Sequence, residues 1–193
     1  MKTLNVLMSG VGGQGVILAS KILSEMALRS GLDIKQSEVH GMSQRGGSVV
    51  SHVRIGDKVH SPLVPEGQCD VLLAFEPLEG LRFAHWVKGD GVIIYSTDRI
   101  NPSTVSAGLA KYPEDTSKRL EACPCRKVAV PAGDLAEQAG NRRAANVVLV
   151  GTLSMFLDFA ADLWEQALEA SVPSQALALN REAFRLGRER AAA

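Results

Sequence analysis

The stretch Gly10-Val11-Gly12-Gly13-Gln14-Gly15 can bind a ligand without any reactive side chain. Its first, third and sixth positions fit G-x-G-x-x-G, and it stands between the apolar run Leu4 to Met8 and a segment with helical periodicity. Strand, glycine loop and helix in that order form the context in which the pattern carries meaning. Glycines permit the tight turn and leave backbone N–H groups at a helix N-terminus facing whatever anion sits above. Gly12, Gly13, Gln14 and Gly15 are therefore candidate ligands for a phosphate or carboxylate. The competing explanation is that the glycines merely let the helix pack close to the first strand.

A second candidate is the loop Glu38-Val39-His40-Gly41-Met42-Ser43-Gln44-Arg45-Gly46-Gly47, rich in glycine and hydrogen-bonding side chains. A connection of this length and composition costs conformational entropy that a plain turn avoids, which marks it as a site. Arg45, flanked by Gly46, can approach a carboxylate or phosphate in bidentate fashion, with Ser43 and Gln44 beside it. It could equally be a solvated residue or pair with Glu38. Glu38 and His40 are the weak candidates for proton transfer, and Glu38 is nearly placed to hold ribose hydroxyls in an ordinary dinucleotide unit.

Several chemistries are excluded. The three cysteines, Cys69, Cys123 and Cys125, cannot supply the four thiolates of a zinc or iron–sulfur site, and the four histidines do not form a helical ligand pair. Lys88-Gly89-Asp90-Gly91 contains the opening of a thiamine diphosphate motif, but Asn101, Asn141 and Asn146 are badly spaced for its second half. A turn before a strand accounts for these glycines. Lys plus Arg and Asp plus Glu both number 21, so no overall charge favours nucleic acid or an acidic membrane. That neutrality favours self-association, which leaves a homodimer of the isolated chain open. The longest apolar stretch, Ala144 to Leu157, is too short and too polar to span a bilayer, and no signal peptide opens the chain; a cytoplasmic location is expected.

The elements that must position these residues read as α/β, a Rossmann-like three-layer sandwich. At 193 residues and 46% hydrophobic composition, a single domain over 1–193 is expected. Val16, Ala19, Leu23, Met26 and Ala27 recur at helical spacing. Asp33 to Ser37 is a weak strand near an edge, while Asp70 to Phe75 and Gly91 to Ser96 are apolar runs suited to the middle of a mostly parallel sheet. Ser48 to Ile55 alternates, and the turn Gly56-Asp57 predicts an inserted β-hairpin with Lys58 to Ser61 as partner. Lys111 to Arg126 is irregular, Lys127 to Val130 is the last strand, and the C-terminal region is helical from Asp134 onward.

Several segments together resemble one family, the gamma subunits or domains of the 2-oxoacid:ferredoxin oxidoreductases. They are Gly10 to Val16, Arg45-Gly46-Gly47-Ser48, Glu76-Pro77-Leu78-Glu79, Asn146 with Leu149 and Gly151, and Asn180 with Ala183, Phe184 and Gly187. The wording of the loop from Glu38 to Gly47 is similar to the beta subunits of the family's indolepyruvate branch. The resemblance implies a subunit of an enzyme that decarboxylates an aryl 2-oxoacid, joins the acyl group to coenzyme A and passes electrons to ferredoxin. It further implies no cofactor bound by this chain alone. Thiamine diphosphate, magnesium and 4Fe-4S clusters are expected on a larger partner subunit, beside which this chain shapes the substrate and coenzyme A cleft. The rival readings are a stand-alone Rossmann-type nucleotide-binding protein with Glu38 on the ribose, and a purely structural assembly subunit.

Overall fold

The computed structural model describes residues 2–38 and 45–192. Its framework is a six-stranded sheet. The strands are β1 (Leu4–Val11), β2 (Asp33–Glu38), β3 (Ser48–Gly56), β4 (Cys69–Ala74), β5 (Val87–Ser96) and β6 (Arg126–Val130), in the order β2-β3-β1-β4-β5-β6. β1, β4, β5 and β6 run parallel, whereas β3 is antiparallel to both β1 and β2. The apolar runs occupy the centre because a parallel strand is covered on both faces. Lys35 and Gln36 place β2 at the edge, where one side of the strand stays wet.

Side chains alternate between two helical layers. Val6, Met8, Val71, Leu73, Val92 and Ile94 meet α1 (Val16–Arg29), α5 (Ala132–Gln138), α6 (Ala145–Ser154), α7 (Ala161–Ser171) and α8 (Leu177–Ala192). Leu7, Leu72, Ile93 and Tyr95 meet α2 (Pro77–Phe83) and α4 (Thr116–Glu121). A one-turn helix α3 (Ser103–Ser106) lies between β5 and α4 in the chain. The alternation in β3 is as read from sequence, with Val49, Val53 and Ile55 in the first core.

The hairpin lies elsewhere than the turn signal suggests. Residues 58–61 form no strand. β3 pairs with β2 on one side and β1 on the other, so neither of its edges is free for a third partner. The segment after the turn is instead pinned where Val59 N–H donates to Asp33 Oδ2 at 2.8 Å. Lys88 to Gly91 belongs to β5 itself rather than to a turn before it. Here the register between β4 and β5 shifts, and a Cβ on Gly91 would sit 3.0 Å from the carbonyl oxygens of Cys69 and Asp70. The polar stretch before β6 contains α4, whose Leu120 is fully buried.

α6 is buried from Asn146 through Ser154, as expected of a helix that is apolar all round. It touches α8 through two glycines. A Cβ on Gly151 would lie 2.1 Å from the Phe184 carbonyl oxygen, and one on Gly187 would lie 2.0 Å from that of Val148. Thr152 Oγ1 adds a hydrogen bond to the Gly187 carbonyl at 2.9 Å. Backbone meets backbone here, so no side-chain rotation relieves a clash. Gly151→Ala should therefore cost about 3 kcal/mol and lower the melting temperature by roughly 10 °C, read by thermal denaturation; an unchanged midpoint would contradict the contact.

Candidate functional site

The glycine loop joins the end of β1 to α1, and its shape is set by one side chain. Gln14 Oε1 accepts the N–H of Val11 at 2.7 Å, while Gln14 Nε2 donates to the Phe75 carbonyl at 2.7 Å. Gly10 must lack a Cβ because it would sit 3.0 Å from both Gln14 Oε1 and the Phe75 Cβ. Gly13 and Gly15 have φ of 102° and 81°, a region that L side chains avoid. Gly15 is doubly constrained, since its Cβ would lie 2.3 Å from Asn146 Nδ2, which donates to the Gly15 carbonyl at 3.3 Å. No side chain caps α1, so its first-turn N–H groups face outward.

Two hollows flank the loop. The larger, about 680 Å³, opens at the carboxyl ends of β1, β4 and β5 and reaches the start of α6. Its walls carry Arg99, Arg142 and Arg143 against a single carboxylate, Asp98. Asp98 is saturated: its Oδ2 accepts from Gly133 N at 2.7 Å and Ser96 Oγ at 2.9 Å, and Arg142 reaches its Oδ1 at 2.5 Å. Arg143 is exposed and forms no ion pair among the described residues. The smaller hollow, about 300 Å³, lies on the β3 side of the loop and is walled by Gly12, Gly13, Gly15, Glu38 and Val49 among others.

The candidates read from sequence fare differently. Gly13 and Gly15 line both hollows. Gly12 does too, but its N–H is spent on the Gly47 carbonyl at 2.8 Å. The Gln14 amide is likewise committed to the loop itself. Arg45 is exposed and pairs with no described carboxylate, Glu38 included, and it forms no wall of either hollow. Its neighbour Gly46, with φ 83°, accepts the Ser103 N–H at 2.8 Å, which ties the Arg45 segment to α3. Glu38 faces the smaller hollow and accepts from Ser20 Oγ at 2.9 Å and from the Gln36 amide. His40, Ser43 and Gln44 lie outside the described residues.

β3 also separates Glu38 from the position a dinucleotide site requires. It stands between β2 and β1, which moves the end of β2 one strand spacing, about 4.8 Å, further from the glycine loop.

Sequence reading did not single out Arg99 and Asp98, although their place just past a buried strand's carboxyl end was the available signal. It also left Glu76 and Glu79 without a role. Both are fully buried, Glu76 as the N-cap of α2 and Glu79 in its first turn. Glu76 Oε2 caps the helix, accepting from Leu78 N at 2.7 Å and Glu79 N at 3.1 Å, and its Oε1 accepts the Tyr112 hydroxyl at 2.6 Å. Glu79 accepts from Ser48 Oγ and lies 3.3 Å from Arg82 Nε.

With this geometry in hand, known proteins decide the family. The family model described as pyruvate ferredoxin/flavodoxin oxidoreductase matches residues 5–190. The chain belongs to that family. It is 43% identical over 188 residues to the indolepyruvate oxidoreductase subunit IorB of Archaeoglobus fulgidus, covering 95% of this chain and 93% of that one. It is 42% identical over 192 residues to the subunit of the same name from Pyrococcus horikoshii, covering 97% and 95%. Among solved structures, the keto/oxoacid ferredoxin oxidoreductase gamma subunit of Geobacter sulfurreducens superposes with a TM-score of 0.75 at 28% identity over 98% of each chain. The 2-oxoglutarate:ferredoxin oxidoreductase of Magnetococcus marinus, solved with 2-oxoglutarate, coenzyme A and succinyl-CoA bound, shares the fold with a TM-score of 0.75 at 21% identity. It matches all of this chain but only 31% of its own. The protein is thus a subunit of a 2-oxoacid:ferredoxin oxidoreductase, of the gamma type. Among the described residues no helix is long and apolar enough to cross a membrane.

Two measurements probe this site. Gln14→Glu keeps size and shape but aims a second acceptor at the Phe75 carbonyl, so the variant should lose about 2 kcal/mol of stability in denaturant titrations. Burial raises the Glu76 carboxyl above its ordinary 4.5. The folded state then holds that proton more tightly than the unfolded state, and Glu76 erodes stability as pH rises from about 4.5 through its folded-state value. The stability of Glu76→Gln relative to the parent should accordingly improve over that rise and then level off. A difference flat in pH would contradict it.

Proposed function

We propose that this chain, acting as one unit over 1–193, is the non-cofactor-bearing subunit of an oxidoreductase for an aryl 2-oxoacid of the indolepyruvate type. The overall reaction takes a 2-oxoacid, coenzyme A and two oxidised ferredoxins to an acyl-CoA, carbon dioxide, a proton and two reduced ferredoxins. The near-full-length identity to subunits named for indolepyruvate supports the substrate class. The observation that carries the chain's role is the cleft of about 680 Å³ at the strand ends, with three guanidinium groups and one committed carboxylate in its walls.

The residues present do not suit the redox cofactors. The chain has three cysteines, and among the described residues no group of three His, Cys, Asp or Glu side chains is placed to hold a metal ion. Thiamine diphosphate, magnesium and 4Fe-4S clusters are assigned to the larger partner subunit, where they supply decarboxylation and electron transfer. This chain supplies binding. The N–H groups of the glycine loop and the cations around the cleft hold an anionic group, a coenzyme A phosphate or the oxoacid carboxylate, and Arg45, outside the cleft walls, adds a further cation from the neighbouring segment. The walls exclude water around that group, which strengthens each of these interactions.

Alone, the chain should turn nothing over and bind neither NAD nor FAD tightly by calorimetry. In the assembled enzyme, Arg45→Ala should raise KM about tenfold for coenzyme A or for the 2-oxoacid. Unchanged kinetics for both would sink the reading.

A further inference from the structure

The three cysteines differ in their surroundings. Cys69 is fully buried at the start of β4, and burial pushes its thiol up to about 12, so it serves as a small apolar side chain. Cys123 and Cys125 are placed otherwise. They flank Pro124 in the connection from α4 to β6, at the amino edge of the sheet and so at the opposite edge from the cleft. Both side chains pack on the apolar cluster of the second layer, Cys125 buried and Cys123 half-buried.

Two cysteines separated by one residue have Cα atoms at most about 7 Å apart in an extended chain, and a disulfide takes roughly 4.4–6.8 Å. The chain bends through 123–125, which shortens that separation further. The bend is anchored at both ends. Before it, Leu120 is fully buried and Glu121 Oε1 accepts the Tyr95 hydroxyl at 2.6 Å. After it, Arg126 pairs with Val92 in the sheet. Pro124 removes a further source of slack, since its ring fixes φ. Two thiols held in this way meet at an effective concentration that no thiol in solution matches.

Their environments also divide the roles. Burial raises the Cys125 thiol, as does the neighbouring Cys123 sulfur, against the favourable Lys127 ammonium. That ammonium donates to the Cys123 carbonyl at 2.8 Å, so a cation stands beside the pair. Cys123 is open to solvent, its Sγ making no stronger contact than a 3.6 Å approach to the Arg119 carbonyl. Partial exposure beside a cation is the setting of a reactive cysteine. Cys123 is accordingly the attacking sulfur and Cys125 the resolving one.

We propose that Cys123 and Cys125 form a reversible dithiol–disulfide pair, oxidised by exchange with a low-molecular-weight disulfide. Cys123 loses its proton, and its thiolate attacks one sulfur of that reagent. The reagent's sulfur–sulfur bond breaks, and the departing thiolate takes up a proton. Cys125 then attacks the Cys123 sulfur of the mixed disulfide and expels the second thiol, which leaves with the Cys125 proton. The protein has lost two electrons and two protons, and the reagent has become two thiols. The ring so closed is small, which makes it easily reopened by excess thiol.

The test uses the enzyme assembled with its partner subunit. It is incubated with oxidised glutathione, quenched in acid, alkylated with iodoacetamide in denaturant and cut with trypsin, which releases Cys123 and Cys125 together in the peptide 120–126 and Cys69 in another. Untreated, the peptide should carry two alkyl groups. Treated, it should carry none, weigh two hydrogens less than the dithiol, and regain both groups after dithiothreitol. Cys125→Ser should leave Cys123 as its mixed disulfide with glutathione, and Cys123→Ser should leave Cys125 free for alkylation.

Two alkyl groups on the treated parent would overturn the pair, and so would a glutathione adduct that persists on its Cys123. Oxidation of Cys69 along with the other two would mean that the chain had opened, and would overturn the assignment as well. Alkylation of Cys123 with a glutathione adduct on Cys125 would reverse the two roles and overturn the division between them. The mass of the parent peptide decides the pairing even if a serine variant fails to assemble.

Discussion

Two backbone groups, the N–H of Val11 and the carbonyl of Phe75, sit where the parallel strands β1 and β4 part, and the Gln14 amide serves both. The strands part because their chains leave in opposite directions, β1 into α1 in one helical layer and β4 into α2 in the other. Such a divergence opens a crevice at the carboxyl edge of the sheet. It also leaves the last residues of each strand without a ladder partner on the side where β1 and β4 part, and an orphaned buried peptide group costs about 1–3 kcal/mol. One side chain with a donor and an acceptor removes both penalties while keeping the crevice open. The consequence for the proposed site is that the Gln14 amide is tied to the loop, which leaves the helix N–H groups and the arginines as the remaining donors there.

The other fixed point is the first turn of α2. Burying a carboxylate is costly unless donors surround it, and both Glu76 and Glu79 meet that condition. Their partners matter as much as their own burial. Glu79 receives the hydroxyl of Ser48, which follows Arg45-Gly46-Gly47 directly, and Glu76 receives that of Tyr112, on which Arg99 stacks. The two arginine-bearing segments are themselves joined by the hydrogen bond from Ser103 N–H to the Gly46 carbonyl. One helical turn of the second layer, buried at the end of β4, thereby anchors both cationic rims.

What could be read from the sequence follows from how local each signal was. The central strands announced themselves as apolar runs, β3 as an alternation and β2 as an edge by its interior Lys35 and Gln36. The glycine loop was legible because strand, loop and helix are contiguous. The hairpin was misplaced because Gly56-Asp57 is a local turn signal, whereas pairing depends on which strand edges remain free. The cleft was mostly hidden for the same reason. Asp98 meets Arg142 across 44 residues of chain and Tyr112 meets Glu76 across 36, separations over which no periodicity or spacing rule operates. Gln14 looked like a ligand for want of any sign that its amide closes on Phe75, 61 residues away.

The inserted antiparallel strand finally explains why a dinucleotide-like loop need not hold a dinucleotide. β3 moves Glu38 away from β1 and leaves it walling the smaller hollow, its carboxylate turned toward Ser20 and Gln36. An anion entering on that side meets a negative charge and the apolar Val49. On the opposite side of the same glycines it meets Arg99 and Arg143, while Arg142 and Asp98 offset each other's charge in their ion pair. Both hollows share Gly12, Gly13 and Gly15, and Val16 and Ile17 of α1 wall only the smaller one, so the helix terminus gives the larger no advantage. The side-chain charges do discriminate, and they send an anionic ligand to the face that lies over the ends of β4 and β5.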